Sequence, residues 1–180
     1  MKQKLFYLFI AILIILTGCN DSNKQSTSNS STSSDTKEEL RIGVIGNQPD
    51  VNENNVSFVD IELTDLKKEQ ELSSLNAIFI MKDHLSEAAD SQYASVYKKL
   101  KIPTFFIEST KGYVPFVTED LTYEDAPDMD NTSYATGFLN TGEVYNYWEY
   151  NLNNDKLNDK NIKEVYNNIF DTIISLKQDE

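Results

Sequence analysis

The stretch NAIFIMKDHLSEAADSQYASVYKKLKIPTFFIES, Asn76 to Ser109, decides the fold. Asn76 to Met81 is continuously apolar after its first residue, the mark of a strand buried on both faces. Ser86 is placed to cap a helix running to Lys101, with Tyr93, Val96, Tyr97 and Leu100 at i, i+3, i+4 and i+7 on one face. Lys98, Lys99 and Lys101 fall in its last turn, where the helix dipole favours cations. Pro103 stops the helix, and Thr104 to Glu108 (TFFIE) reads as a second buried strand. Strand, helix and strand at this spacing make a βαβ unit with a right-handed crossover.

The pattern extends upstream. Leu40 to Gly46 (LRIGVIG) is a buried strand ending in the turn Asn47-Gln48-Pro49-Asp50, and Val56 to Leu63 alternates as another strand. The connector between them is about ten residues, short for a parallel crossover. A clipped crossover without its helix is favoured over an antiparallel pair. Thr64 then caps a short helix through Leu72, with Asp65 in its first turn. Downstream of Ser109 the character changes. Thr118 to Asn131 carries six carboxylates, Pro127 and no Lys or Arg, and reads as a long surface loop. Ser133 to Leu152 holds six aromatic residues around Asn140-Thr141-Gly142, a hairpin signal. Asn158 or Asp159 caps a last helix with Ile162, Val165, Tyr166, Ile169, Phe170, Ile173 and Leu176 on one face. The expected fold is α/β and three-layered: a mostly parallel sheet of about four strands with flanking helices, an aromatic hairpin and a C-terminal amphipathic helix.

Ahead of this domain the chain is different in kind. Lys2 and Lys4 form a basic head, and Leu5 to Leu16 is an unbroken apolar run of twelve. That length suits a secretory signal and falls short of the roughly 20 residues a membrane-crossing helix needs. It ends in Leu16-Thr17-Gly18-Cys19. These residues resemble the signal peptide and lipobox of bacterial lipoproteins. The resemblance covers Met1 to Cys19 and implies cleavage before Cys19 and a diacylglyceryl anchor, with further acylation such as palmitate, on that residue. It also implies an address at the extracytoplasmic face of the cell membrane. Asn20 to Glu39 follows with no apolar residue; seven of the seventeen positions from Asn20 to Thr36 are Ser and three are Thr. Such a segment cannot offset its ordering entropy and reads as a tether, with an r.m.s. reach of about 25 Å. The expected organisation is therefore a signal peptide over 1–18, a lipidated Cys and tether over 19–39, and one α/β domain over 40–180.

Composition narrows the function classes. The chain of 180 residues carries a net charge of −13, and loss of Lys2 and Lys4 on cleavage makes it more negative. Clustered cations for nucleic acid or for an anionic bilayer surface are not expected, so membrane contact would come from the lipid. Cys19 is the one cysteine, so neither a disulfide nor a cysteine-based metal site can form. Frequent Asn, and Lys far outnumbering Arg, suggest an AT-rich genome and a low-GC Gram-positive host.

Chemistry-bearing signatures are sparse. Gly43-Val44-Ile45-Gly46 matches neither a dinucleotide-binding glycine pattern nor a P-loop, and there is no G-x-S-x-G elbow. No cofactor is expected. Ligands of open α/β sheets sit beyond the strands' carboxyl ends. Those ends bring Asn47 and Asp50, then Lys82, Asp83 and His84, then Glu108, Ser109 and Thr110. Asp83, His84 and Ser109 are hydrolase residue types and stand as catalytic candidates. Asp125, Asp128 and Asp130 could offer oxygens to Ca²⁺, although their spacing is not an EF-hand loop. Tyr145, Tyr147, Trp148 and Tyr150 share one strand, where one face is core and the other could present Tyr145 and Tyr147 to a ligand or partner.

Asn76 to Ser109, with its apolar strand, amphipathic helix, Lys101-Ile102-Pro103 and closing TFFIES, also resembles one lobe of the solute-binding lipoproteins that serve siderophore and cobalamin importers. That likeness implies ligand capture in a cleft between two lobes, and this chain has the length for one. The function expected is a non-enzymatic accessory or interaction module at the cell surface, with a cell-envelope protein as partner. The alternatives are a small hydrolase using Asp83, His84 and Ser109, and a single-lobe solute binder.

Overall fold

The computed structural model describes residues 38–129 and 133–178. The expected signal peptide, Cys19 and nearly all of the expected tether lie outside them. The described chain forms a six-stranded sheet in the order β2-β1-β3-β4-β5-β6. Its strands are β1 (Leu40–Ile45), β2 (Val56–Asp60), β3 (Ala77–Ile80), β4 (Thr104–Ile107), β5 (Ser133–Asn140) and β6 (Tyr145–Asn151). β1 pairs in parallel with both β2 and β3, and β3 with β4. β5 and β6 join antiparallel at the β4 side. The expectation of about four mostly parallel strands is thus corrected to six in a mixed sheet. The hairpin is continuous with the sheet because β4 would otherwise expose an unpaired edge. Thr104 to Ile107 instead bonds along Phe138 to Ala135.

Among the described residues five α-helices flank the sheet: α1 (Glu69–Leu72), α2 (Leu85–Ala88), α3 (Ser91–Tyr97), α4 (Val114–Val117) and α5 (Asp159–Gln178). Strand order explains their placement. The step from β1 to β2 runs one way along the sheet, while the steps to β3 and β4 run the other. Right-handed connections then send the two later crossovers to one face and the first to the opposite face. The core separates accordingly. Leu66, Leu72, Leu85, Tyr93, Tyr97 and Phe116 pack with Ile45, Ile78, Ile80 and Phe106 on one side. On the other, Leu40, Ile42, Val44, Phe79 and Phe105 meet Val165, Tyr166, Ile169, Phe170 and Ile173 of α5. The connector over 46–55 contains no helix and contributes Val51 to that second face. α5 covers the area that a helix in the first crossover would otherwise occupy.

Two helices differ from their expected form. The run from Ser86 to Lys101 is broken, because Asp90 is extended (φ −62°, ψ 138°) and its carboxylate accepts from Gln92 N, capping α3 afresh. Ser86 caps nothing; its hydroxyl donates to Glu124. Upstream, a 3₁₀ turn over Leu63–Lys67 precedes α1, and the chain enters it at Glu62, whose N–H donates to Asp65 Oδ2 at 2.8 Å. Thr64 is therefore inside the turn and not its cap.

Gly43 shows how tightly the first face is filled. A Cβ there would lie 2.7 Å from Ile61 Cδ1 and 2.8 Å from Leu75 Cδ1. Gly43→Val is expected to lower stability by about 1–3 kcal/mol through overpacking. A urea midpoint equal to that of the native chain would contradict this packing.

The α5 face is rich in tyrosine. Burial pushes the hydroxyls of Tyr134 and Tyr150 up to about 12, and raises Tyr166 further. A folded-state pKa above the unfolded value of about 10 means that stability is fully present below pH 10 and falls as pH rises from 10 towards 12. Alkaline titration should show unfolding in that window. Tyrosinate absorbance from these residues should appear with the loss of structure and not before it.

Candidate functional site

Three regions have the residue types for function, and they lie at different places on the sheet. The first is the carboxyl pole of the parallel strands. Gly46 ends β1 at φ 109°, and a Cβ on it would approach His84 Cδ2 to 2.9 Å and Met81 Cβ to 3.0 Å. The glycine thus lets the turn after β3 close over the end of β1. Lys82 Nζ reaches Glu108 Oε2 at 3.5 Å, bridging the ends of β3 and β4. Glu108 holds a left-handed conformation at φ 57°, which turns the chain into Ser109.

This pole does not assemble the expected catalytic candidates. Ser109 is fully buried, and its hydroxyl oxygen accepts from Lys111 N at 3.3 Å and from Tyr123 Oη at 3.5 Å. His84 is 38% exposed at its side chain, with Nδ1 3.9 Å from Glu87 Oε2. Asp83 points to solvent. Among the described residues no hydrogen bond joins any two of Asp83, His84 and Ser109. A nucleophile needs its base within hydrogen-bond reach and an open approach for substrate. Ser109 has neither; it is a structural hydroxyl that fastens the loop after β4.

That loop is held by one cation. The Lys111 ammonium donates to Ala126 O at 2.8 Å and pairs with Asp128 Oδ1 at 3.1 Å. Lys111, followed by the Thr110 hydroxyl at 3.1 Å, holds the Asp128 carboxyl below the usual range. Asp125 has a separate partner, accepting from Thr122 Oγ1 at 2.8 Å. Asp130 lies outside the described residues. Among those described, no three carboxylate, His or Cys side chains gather as a metal site.

The second region is the β6 edge of the sheet. β6 divides by alternation: Trp148 and Tyr150 pack with the α5 face, while Tyr145 and Tyr147 remain 58% and 56% exposed. The Tyr147 ring stacks on Tyr113 at 5.0 Å, and Tyr113 stacks on buried Phe138 at 5.5 Å. Tyr145 leans on Phe138 at 5.6 Å. Exposed Val144 and Val114 flank these rings in sequence. The rings are therefore braced from beneath and exposed on their outer side. Period-two reading locates this pair, but not the support from Tyr113, which lies outside any pattern.

The third region went unread in the sequence. A groove of about 1020 Å³ opens at the amino pole, opposite the strand ends considered above. Leu72, Leu75, Leu100, Ile102, Pro103, Leu139, Ile173 and Leu176 line it, with Lys99, Lys101, Lys177 and Glu69 among its polar residues. Its walls come from α1, the end of the α3 segment, the β5–β6 turn and the last turns of α5. Periodicity assigns the lysines to a helix dipole and the leucines to core. Only the tertiary arrangement brings them around one space.

No family model, characterised protein or solved structure matches this chain. Among the described residues no helix is long and apolar enough to cross a membrane.

Proposed function

We propose that this chain is a lipid-anchored extracytoplasmic lipoprotein whose domain works as a non-enzymatic accessory module, docking a cell-envelope protein on the tyrosine face of β6. The observation that carries the docking surface is the braced pair Tyr145 and Tyr147, more than half exposed on an edge strand. Large rigid rings offer contact area at little entropic cost, and tyrosines are frequent anchors in protein interfaces. Glu143 lies beside them in sequence, which favours a partner with cations at its rim. The anchor rests on Leu16-Thr17-Gly18-Cys19 and the basic and apolar segments before it.

The hydrolase reading has less support, since Ser109 is buried and unpaired with His84. The single-lobe solute reading expects capture at the strand carboxyl ends, whereas the large groove lies at the other pole.

Two experiments test the proposal. Cys19→Ser should move the protein out of the membrane fraction and abolish globomycin-sensitive processing; unchanged membrane fractionation would remove the anchor. Photo-crosslinking from intact cells, with a photoreactive residue at position 144, should capture a discrete envelope protein. Tyr145→Ser with Tyr147→Ser should reduce that capture by about tenfold or more, as expected for loss of interface anchors. Equal capture by the double variant would exclude the tyrosine face.

A further inference from the structure

The groove at the amino pole combines an apolar floor with unpartnered cations, in a protein whose net charge is −13. Lys99 and Lys101 are exposed at its rim, and among the described residues neither forms an ion pair. Lys177 is already engaged, with Nζ 2.5 Å from Glu38 Oε1 and 3.4 Å from Glu39 O. Glu69, the acidic residue of the lining, sits on α1, while Lys99 and Lys101 flank Leu100 and Ile102 on the segment leading into β4. We propose that this groove binds a single-chain anionic lipid, with its acyl chain along Leu75, Leu100, Leu139 and Leu176 and its headgroup on Lys99 and Lys101. The inference is independent of the tyrosine face and of the lipid on Cys19.

Three considerations select that occupant. The volume is at the upper end of the range for small-molecule sites, and the surface it presents is more apolar than polar although ten of its eighteen lining residues are polar or charged, which makes it amphipathic. An uncharged apolar molecule would leave the two lysines unused, and a small hydrophilic anion would leave uncovered the apolar surface that remains around Ile102 and Leu176, since Leu75, Leu100 and Leu139 are already largely buried. Only a molecule with both parts satisfies the whole lining. Segments of the same chain also fit poorly. Asn20 to Glu39 has no apolar residue, and the apolar run from Leu5 to Leu16 carries Lys2 and Lys4 at its head, which the groove lysines would repel.

The experiment uses the full chain in its Cys19→Ser form, which bears no covalent lipid there, in equilibrium dialysis against radiolabelled oleate. Saturable binding of one oleate per chain is expected. Lys99→Glu with Lys101→Glu should weaken it about tenfold or more, a scale set by loss of charge-assisted contacts. Both side chains are exposed, so the melting temperature should hold, which separates lost binding from lost folding. Leu176→Asp, at a partly exposed position, should weaken oleate binding independently of the lysines. Decanol should compete poorly and inorganic phosphate not at all. Absence of saturable binding, or equal affinity in the double lysine variant, would overturn the proposal. So would tighter binding after deletion of residues 20–37, because the tether would then be the groove's own occupant.

Discussion

A β-strand crossover that lacks its helix leaves a sheet face to be covered by something else, and in this protein that requirement shapes the domain. β1 and β2 run parallel, yet only 46–55 joins them, too short a stretch to carry a helix across the sheet. The exposed face belongs to Leu40, Ile42, Val44, Phe79 and Phe105, which cannot remain in water. α5 supplies the cover from the far end of the chain. Phe79 marks the centre of the contact, with its ring 5.9 Å from Tyr166, 6.3 Å from Phe170 and 5.7 Å from Phe105. A helix twenty residues long, from Asp159 to Gln178, is thus a consequence of the short first crossover.

The sequence carried much of this architecture in its periodicities. Continuous apolar runs identify β3 and β4, and the i, i+3, i+4 pattern identifies α5, because those segments obey one dominant constraint each. The missed features arise where constraints compete. Asp90 lies inside an amphipathic run, but its side chain satisfies a backbone N–H better as a cap than as an exposed mid-helix carboxylate, so the helix breaks there. The hairpin's pairing with β4 depends on contacts between residues about thirty apart, such as Thr104 with Phe138. Turn chemistry locates such a hairpin, but does not say which strand it will join.

Site residues divide in the same way. Alternation along β6 is a local property and points to Tyr145 and Tyr147 without tertiary information. Residue types at strand ends suggested Asp83, His84 and Ser109, but type does not carry orientation. Ser109 was turned inward by the left-handed residue before it and bonded by Tyr123 and Lys111. The amino-pole groove had no sequence signature at all, since its lining is assembled from four separate elements whose apolar residues look like ordinary core.

The chain enters β1 at the same pole where α5 ends, with Lys177 bridging to Glu38 across the two. This fixes how the domain would carry mechanical load. Tension applied ahead of Glu38 acts along β1, which is an interior strand bonded on one side to β2 and on the other to β3. Both ladders would be strained together in shear, so many hydrogen bonds must fail at once for β1 to slip. An edge strand pulled in the same direction would load one ladder in place of two and give way at lower force. A domain hung from its central strand resists being stretched open when the opposing load acts at the carboxyl pole of the sheet.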